Sequence, residues 1–545
     1  MPVRLRARLG IGDAPEDRVM FPTFTVDENL RFPCEVIGIP WSAASCNRMT
    51  RPPLRSTDFH HSNGAPTMAH HFINGQWVAA SNGQTLPVID PSTGEVFDQL
   101  ARGNAADIDR AVGAARAALN GPWGRLTATE RGRILHKMSV LILAQAEELA
   151  QLESRDTGKP IGQARNDIVV AARYCEFYAG AADKVHGQEI PYLSDYQVVV
   201  VREPYGVTAH ILPWNYPAQM FGRSVVPALA MGNAAVLKPS EDACMTPLAF
   251  CKIAKEAGLP DGALNVVTGL GEEAGAALTA HGDIDFVTFT GSPEVGTLVQ
   301  KAAADRNLKC VLELGGKSPQ IVFDDADLDR AATFILKAIT QNGGQTCSAG
   351  SRLLVQRSIY DSFVAKVAAR FAQSAAGTPA QDRDCGPLIN AAQRDRVEGF
   401  IRRAKATGIP VLAQGQIADG VHPGGFYVAP TLFGPVPRDH PLACDEVFGP
   451  VLSAMPFDDE EDAITLANAT DFGLLAGIWT RDGGRQTRVA RRMKCGQVYI
   501  NTYGAGGGVE LPFGGVKRSG HGREKGFLAL EEFCTIKTIV QYFGQ

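Results

Sequence analysis

The sequence has no run of about 18 uninterrupted apolar residues, the minimum for a membrane-spanning helix. Its longest apolar stretch, residues 224–237, is shorter and contains Pro227 and Asn233, which indicates a buried segment of a folded domain. Residues 1–20 alternate basic with acidic side chains and have no apolar core, so a secretory signal is not expected. The sequence therefore predicts no membrane partner.

The sequence also lacks a surplus of positive charge. Its 545 residues include 53 Lys and Arg against 58 Asp and Glu, a net charge of −5, and 45% are hydrophobic. Proteins that bind nucleic acids carry basic patches that neutralise phosphates, so a nucleic-acid partner is not expected. The composition is typical of a globular enzyme, and the length predicts two or three domains.

Cysteine pairs are missing as well. The eleven cysteines form no C-x-x-C pair and no Cys/His cluster of the kind that holds a metal ion. This pattern is typical of reduced, mostly structural thiols, and it predicts a cytoplasmic protein without a bound metal. The same pattern is compatible with one reactive thiol among the eleven cysteines.

Residues 1–67 contain no lysine, but they include eight prolines and eight arginines and show no periodicity. They predict a poorly ordered N-terminal extension, or a start codon chosen upstream of a true start near Met68. A transit peptide fits less well, because such peptides avoid acidic residues and this segment has seven.

From Met68 onward, strand and helix patterns alternate. Phe72 to Val78 predicts a hairpin around an Asn-Gly turn, and a capping box at Thr127 predicts a helix that continues to Leu152. Further strands are predicted at 197–201, 206–212, 234–237, 264–267, 285–290, 311–314, 320–323 and 352–356, with helices near 246–257, 328–342 and 358–375 and another that starts just after Gly291. The alternation predicts an α/β fold with two doubly wound domains.

One cysteine has a distinctive neighbourhood. Cys347 lies in the segment 341–352 between glycine-bearing turns, where exposed backbone lets a substrate approach closely. If the turn opens toward a helix N-terminus, the pKa of the thiol falls and thiolate forms near neutral pH. The alternative is an inert structural thiol.

Two polar residues occur where catalytic groups are expected. Glu313 ends an apolar strand before a Gly-Gly turn, at the sheet edge where α/β proteins bind ligands, and desolvation there would suit it to general-base work. Asn215 lies in a loop between two prolines and offers an N–H donor for an oxyanion. The alternatives are a solvated strand-end glutamate and an ordinary turn residue.

A strand–loop–helix unit at 289–296 supplies a place for phosphate. Ser292 is a good N-cap and Pro293 suits the first helical turn, so the free N–H groups there favour a pyrophosphate. A G-x-G-x-x-G dinucleotide fingerprint is absent.

Together these segments resemble the NAD(P)-dependent aldehyde dehydrogenase superfamily, hydrolytic type, from about Phe72 to the C-terminus. Glu313 and Cys347 lie 34 residues apart, as the family's base and nucleophile do. The motifs are PWNYP at 213–217, KPSE at 238–241, FTGS at 289–292, ELGGKSP at 313–319, GGQTCSAGSR at 343–352, EVFGP at 446–450 and PFGGVKRSGHGRE at 512–524.

The resemblance implies a division into three parts and a homodimer or homotetramer. A Rossmann-like NAD-binding domain would comprise 68–186 and 205–316, and a catalytic domain would comprise 317–518. A small β oligomerisation extension would pair 187–204 with 519–545, including a C-terminal strand at 535–541.

The resemblance also assigns catalytic roles. Cys347 would be the nucleophile, forming a thiohemiacetal and then a thioester, while Asn215 and the Cys347 backbone N–H hold the developing oxyanion. Glu313 would activate the hydrolytic water. Glu524 matches a glutamate assigned to proton relay, with a surface salt-bridge partner as the alternative.

The implied cofactor is NAD, with NADP also allowed. Lys238 and Glu241 would contact the adenosine ribose, where the carboxylate favours NAD because it repels a 2′-phosphate. The remaining cofactor positions are Trp214 and Ser292 near the pyrophosphate, Glu446 and Phe448 around the nicotinamide, and Ser240, Gly291 and Gly315.

Substrate choice depends on the residues around the nucleophile, which are Tyr216, Met220, Arg223, Ser348 and Tyr503. Tyr216 and Met220 favour an apolar tunnel, and five small residues at 504–508 leave space for an aromatic aldehyde. An inward Arg223 would instead pair with the carboxylate of a semialdehyde, whereas an outward Arg223 would be a solvated helix residue. No aromatic box for betaine aldehyde is evident.

Three other functions compete with this interpretation. A CoA-acylating dehydrogenase would not need Glu313 to activate water. A cysteine esterase would cleave esters without nicotinamide. A silent binding protein on the same scaffold would not need Cys347 and Glu313, which are both present.

Overall fold

The structure is a computed structural model that describes residues 70–504 and 508–544. The predicted N-terminal extension at 1–67 lies outside these residues. Within them, no helix is long and apolar enough to cross a membrane.

The first sheet contains eight strands, and its five central strands are parallel. The Asn74-Gly75 turn has positive φ at both residues and closes the predicted hairpin at one edge. In spatial order the strands are Gln76–Val78, His71–Ile73, Leu264–Val266, Ala234–Lys238, Val207–Ile211, Phe286–Thr290, Lys309–Glu313 and Gly520–His521. Four of the central strands are buried along their whole length, as expected when helices cover both faces of a parallel sheet.

The helices of this part include one that departs from the prediction. Thr127 and Glu130 form the expected capping box, but the helix ends at Ala144 and a second helix begins at Ala146, because Gln145 leaves helical geometry. The α-helices are Ala105–Asn120, Ala128–Ala144, Ala146–Thr157, Ile161–Ala181, Pro217–Met220, Val226–Ala230, Met245–Ala257, Ala276–Ala280 and Pro293–Ala304.

The second sheet contains seven strands, all parallel to their neighbours except the first pair. In spatial order they are Val411–Gln414, Thr431–Phe433, Val451–Phe457, Arg352–Gln356, Pro319–Val322, Leu475–Trp479 and Gln497–Ile500. The α-helices that follow residue 320 are Leu328–Thr340, Tyr360–Gln373, Ala391–Ala406, Pro441–Cys444, Glu460–Asn468, Gly483–Arg492 and Gly526–Glu532. Two largely parallel sheets confirm the predicted α/β fold class.

A third, smaller sheet joins distant parts of the chain. Cys534–Tyr542 pairs antiparallel with Tyr196–Pro204 over nine residues, and Gln188–Glu189 completes the sheet. The predicted pairing of 187–204 with the C-terminal strand is therefore present. Two-stranded pairs elsewhere are Thr85–Asp90 with Glu95–Ala101, Ala375–Ala376 with Gln416–Ile417, and Phe472–Gly473 with Val516–Lys517.

The predicted domain boundaries stay predictions. The chain passes from the first sheet to the second between Glu313 and Pro319, close to the predicted boundary at 316. It returns to the first sheet at Gly520–His521 before it enters the small sheet.

Candidate active site

Three neighbouring strands of the first sheet end at the same edge. The strands that end at Ile211, Thr290 and Glu313 are parallel and in register, with Ile211 beside Phe289 and Thr290 beside Glu313. The loops that follow carry Asn215, Ser292 and Gly315. A ligand of an open α/β sheet binds at this edge, so the fold brings these predicted residues to one place.

The second sheet contributes Cys347, which lies between the Leu328–Thr340 helix and the Arg352–Gln356 strand. Its loop packs against the Gly315-Gly316 turn so closely that a Cβ on Gly316 would overlap the Cys347 carbonyl oxygen. Gly344 has φ +73° and packs in the same way on the Gly449 carbonyl. Glycine at these positions lets the cysteine loop approach the end of the Glu313 strand.

Two cavities meet at Cys347. One has a volume of about 710 Å³ and is also lined by Asn215, Glu313 and Phe448. The other, of about 260 Å³, is lined by Cys347 together with Tyr216 and other predicted substrate residues. Cys347, which is partly exposed as a residue, therefore lines both cavities.

The pKa of the Cys347 thiol is raised to about 12, mainly by burial. The positive charge of Arg223 lowers it, while the negative charge of Glu313 raises it further. A lowered pKa was predicted only for a turn that opens toward a helix N-terminus, and that condition is not met. Cys347 lies in a turn and not at the N-terminus of a helix, so no helix dipole stabilises the thiolate.

Glu313 is almost completely buried, in contrast to the solvated strand-end alternative. Burial, and then the charge of Glu524, raises the pKa of the Glu313 carboxyl well above its usual range, and Arg223 opposes this. Its Oε2 accepts a hydrogen bond from Arg223 Nη2 at 3.3 Å, while its Oε1 has no hydrogen-bond partner in the described part of the chain. This unpartnered oxygen is available to a water molecule.

Arg223 points inward, and its guanidinium joins two glutamates. Arg223 Nε donates to Glu524 Oε2, and its Cζ lies 4.2 Å from the centroid of the Phe513 ring. The outward alternative for Arg223 and the surface alternative for Glu524 are both wrong. The segment 220–230 is buried on all sides, so it has no solvated face for an arginine.

Asn215 is buried and held by its backbone as well as by its side chain. Its carbonyl oxygen accepts from Asn342 Nδ2 at 2.8 Å and from Lys159 Nζ at 3.2 Å. Its Nδ2 donates to the Gln345 carbonyl at 3.0 Å, which uses one of two amide hydrogens. The second hydrogen can serve an oxyanion at the cavity wall.

Lys159 forms a buried ion cluster behind Asn215. Its Nζ lies 3.0 Å from Glu153 Oε1 and 2.7 Å from Asp167 Oδ2, and all three side chains are inaccessible to solvent. The ammonium also lies 4.6 Å from the Tyr216 ring centroid. No sequence motif marks this cluster, whose members lie on two helices and the turn between them.

The 710 Å³ cavity also contains most of the predicted cofactor residues, namely Trp214, Gly291, Ser292, Gly315, Glu446 and Phe448. The rings of Trp214 and Phe448 meet edge to face at 5.4 Å. Ser292 caps the Pro293–Ala304 helix, accepting a hydrogen bond from Val295 N–H.

Three features of the cavity wall indicate that a dinucleotide fits there. Thr290 Oγ1 is buried in the wall without a partner in the described residues. A Cβ on Gly315 would overlap the Glu446 carboxylate, so a larger residue there would displace the Glu446 side chain. Burial raises the pKa of Glu446 to about 7, although its Oε1 accepts from Gly316 N–H at 2.8 Å. The residues that line the 710 Å³ cavity therefore fit a dinucleotide.

Lys238, Ser240 and Glu241 do not line this cavity. Lys238 ends the strand beside Ile211, and its Nζ pairs with Glu241 Oε2 at 2.6 Å. Ser240 Oγ accepts from Asp242 N–H. Their contact with the adenosine ribose stays a prediction.

The 260 Å³ cavity contains every predicted substrate residue, namely Tyr216, Met220, Arg223, Ser348 and Tyr503. Tyr216 shares a hydrogen bond with Thr346 at 2.9 Å, and Tyr503 donates to the Ser348 carbonyl at 2.8 Å. The predicted small-residue mouth is described only at Gly504 and Gly508, because 505–507 lie outside the described residues.

Several residues that line this cavity were not predicted as substrate residues, and two of them lie close together. Phe513 and Lys525 belong to the segment around the GRE motif, and both face the cavity. Lys525 Nζ lies 5.0 Å from the Phe513 ring centroid. The only sequence signal was their position inside and directly after a recognised motif.

Comparison with known proteins agrees with this geometry. The sequence model of the Aldehyde dehydrogenase family matches residues 77–539. A mitochondrial aldehyde dehydrogenase family 2 member B4 from Arabidopsis thaliana is 44% identical over 86% of this chain and 87% of its own length.

Solved structures with the same fold include a putative aldehyde dehydrogenase from Burkholderia cenocepacia. It is 58% identical with a TM-score of 0.87, covering 87% of this chain and 100% of that one. The betaine aldehyde dehydrogenase of Staphylococcus aureus, in complex with NAD+, is 35% identical with a TM-score of 0.85, covering 89% of this chain and 98% of its own. The present chain belongs to the aldehyde dehydrogenase family.

Proposed function

We propose that this protein oxidises an aldehyde to its carboxylic acid with NAD+, through a covalent adduct on Cys347 that is then hydrolysed. The observation that carries this proposal is the position of Cys347 at the junction of two cavities, one suited to a dinucleotide and one to an aldehyde. The family and its NAD+-bound members support the choice of cofactor.

The first step is addition of the Cys347 sulfur to the aldehyde carbon. The thiol proton must leave, and Glu313, whose pKa is raised by burial, is a stronger proton acceptor than an ordinary carboxylate. The carbonyl oxygen becomes an alkoxide, which the second Nδ2 hydrogen of Asn215 and the Cys347 N–H stabilise. The product is a tetrahedral thiohemiacetal.

A dinucleotide held in the 710 Å³ cavity would supply, through its nicotinamide, the acceptor for the hydride that the Cys347 adduct gives up when its C–O π bond re-forms. Trp214, Ser292, Gly315, Glu446 and Phe448 would hold the dinucleotide, since they line the cavity on that side of Cys347. The carbon is then oxidised and remains bonded to sulfur as a thioester.

The second half of the reaction is hydrolysis. Glu313 Oε1 has no hydrogen-bond partner among the described residues, and it would take a proton from a water that attacks the thioester carbon. The C–S bond breaks, the Cys347 thiolate leaves and the carboxylic acid is released. Glu524, which is buried and paired with Arg223, would pass the proton on.

Cofactor preference, assembly and localisation belong to the same proposal. The Glu241 carboxylate, although it pairs with Lys238 in the structure, favours NAD over NADP. A homodimer or homotetramer is supported by apolar side chains that the Cys534–Tyr542 strand exposes. The described cysteines are all free thiols, which supports a cytoplasmic location.

Two variants test the chemistry, with NADH followed at 340 nm over a panel of aliphatic, aromatic, amino- and carboxy-aldehydes. Cys347→Ala should abolish NADH formation with every aldehyde, because no adduct forms. Glu313→Gln should still give one burst of NADH per active site, formed more slowly because the thiol loses its proton acceptor, and then stall at the thioester. Steady turnover of Glu313→Gln at the parent rate would remove Glu313 from its role in hydrolysis.

A further inference from the structure

The charged residues that line the 260 Å³ cavity are all positive in the described part of the chain. Arg223, Lys337 and Lys525 contribute to its wall, and in the described part of the chain no aspartate or glutamate does so. The rest of the wall is aromatic, aliphatic or neutral polar. A cavity with cations and no facing carboxylate attracts an anionic ligand and repels a cationic one.

The three cations differ in what they can do for a ligand. Arg223 is nine-tenths buried and contacts both Glu313 and Glu524, so its charge is balanced inside the protein. Lys337 is exposed and lies near the end of the Leu328–Thr340 helix. Lys525 alone combines a buried side chain with a place beside Cys347 in the cavity wall.

The backbone at Lys525 is in an unusual conformation. It has φ +62° and ψ 165°, a region that glycine occupies almost exclusively. A lysine in this conformation places a long cationic side chain against the Phe513 ring, 5.0 Å from its centroid. Burial, and then the charge of Arg223, lowers the pKa of Lys525 to about 7, and a carboxylate bound beside it would favour the charged form.

We propose that this cavity recognises an aldehyde that also carries a carboxylate, and that Lys525 binds this carboxylate while Cys347 attacks the carbonyl carbon. The proposal rests on the proposed function and names its substrate class. The aromatic rings of Tyr216, Tyr499, Tyr503 and Phe513 provide flat apolar walls for the part of the substrate between its two ends. A trimethylammonium aldehyde is excluded from the class, since Lys525 would repel it.

The test compares three aldehydes that differ only in the group opposite the carbonyl: 4-formylbenzoate, its methyl ester, and 4-(trimethylammonio)benzaldehyde. A shorter pair, 4-oxobutanoate and its methyl ester, repeats the comparison in an aliphatic series. We expect kcat/KM of the parent protein to be at least about tenfold higher for each carboxylate than for its ester, and lowest for the cation.

Lys525→Met should lower the carboxylate-to-ester ratio of kcat/KM by about 10- to 100-fold, as for a lost charge-assisted hydrogen bond. Most of the loss should appear in KM, because the interaction is made equally in the ground state and the transition state. Lys525→Arg should restore part of the ratio. Lys405→Met, which removes an exposed lysine outside both cavities, should leave the ratio at the parent value.

Lys525→Gly guards against a folding artefact, because glycine accepts the backbone conformation at this position. It should fold at least as well as the parent and show the same fall in ratio. An unchanged ratio in both Lys525→Met and Lys525→Gly, or a parent protein that prefers the esters, would overturn the proposal. Failure of the proposed function has a different signature, namely no NADH from any aldehyde.

Discussion

The Arg223 guanidinium lies between two buried carboxylates, and both contact its single positive charge. Its guanidinium contacts Glu313 on one side and Glu524 on the other, and both glutamates retain an oxygen without a partner in the described residues. Its charge also lowers the pKa of the Cys347 thiol. A single side chain therefore adjusts the proton affinity of the nucleophile and of the base.

Replacing Arg223 by Met should move the acid limb of the pH profile to higher pH. Glu313 and Cys347 act in their deprotonated forms and the structure raises both pKa values, so activity is lost as pH falls through them. Removing the guanidinium raises both pKa values further, by about one to three units for a close opposite charge. The measurement is log(kcat/KM) against pH from 5 to 10.

Arg223→Lys is the matched variant, because it keeps the positive charge, and its acid limb should stay closer to that of the parent. Arg165→Met, which removes an exposed arginine paired with Glu147, should not move the limb at all. An acid limb of Arg223→Met that coincides with the parent would show that Arg223 does not set these proton affinities.

At the scale of elements, the five central strands of the first sheet and two strands of the second, Pro319–Val322 and Arg352–Gln356, could be predicted because fully buried parallel strands are short β-branched and apolar runs. The other five strands of the second sheet were not predicted. The inward direction of Arg223 could not be predicted from periodicity. Its segment is buried on every side, and a helix with no solvated face gives no amphipathic signal. The break at Gln145 was missed because the apolar spacing of the two helices continues across it without interruption.

The pKa of the Cys347 thiol could not be predicted from the sequence either. Whether a cysteine loop opens onto a helix N-terminus depends on tertiary packing, and here Cys347 contacts a glycine turn of the first sheet. Lys525 was missed because it lines the same cavity as Cys347 only when the C-terminal segment has paired with the first sheet through Gly520–His521. The sequence motifs therefore identified the residues of the site, whereas the charges around Cys347 depend on tertiary packing.

The helix pair that carries Glu153 and Asp167 supports the Asn215 loop through Lys159. Replacing Lys159 by Met leaves two carboxylates buried without their cation, and it removes a donor to the Asn215 carbonyl. Breaking a buried ion pair in this way costs about 3–5 kcal/mol. We expect the midpoint of urea unfolding, followed by tryptophan fluorescence, to fall markedly.

The control is Lys184→Met, which removes a lysine from an exposed pair with Asp183. Exposed pairs add little to stability, so the midpoint should match that of the parent. The prediction fails if the two lysine variants unfold at the same urea concentration.

At the scale of the whole molecule, the small sheet leaves one strand partly uncovered. Among residues 70–504 and 508–544, Cys534–Tyr542 lies at the edge of this sheet and pairs on one side only, with Tyr196–Pro204. Ile536, Val540 and Tyr542 share one face of this strand and are each more than half exposed. An apolar edge strand of this kind is covered in a stable protein, since it would otherwise promote aggregation.

We expect a second copy of the chain to cover this face, so the double variant Ile536→Asp and Val540→Asp should dissociate the proposed homo-oligomer. Each aspartate would place a charge in an apolar interface, where burial without a partner is unfavourable. The measurement is the mass in solution by light scattering after size-exclusion chromatography. Lys405→Asp, a charge change on an exposed helix position far from this strand in sequence, should keep the parent mass, whereas a monomeric parent would remove the basis of the prediction.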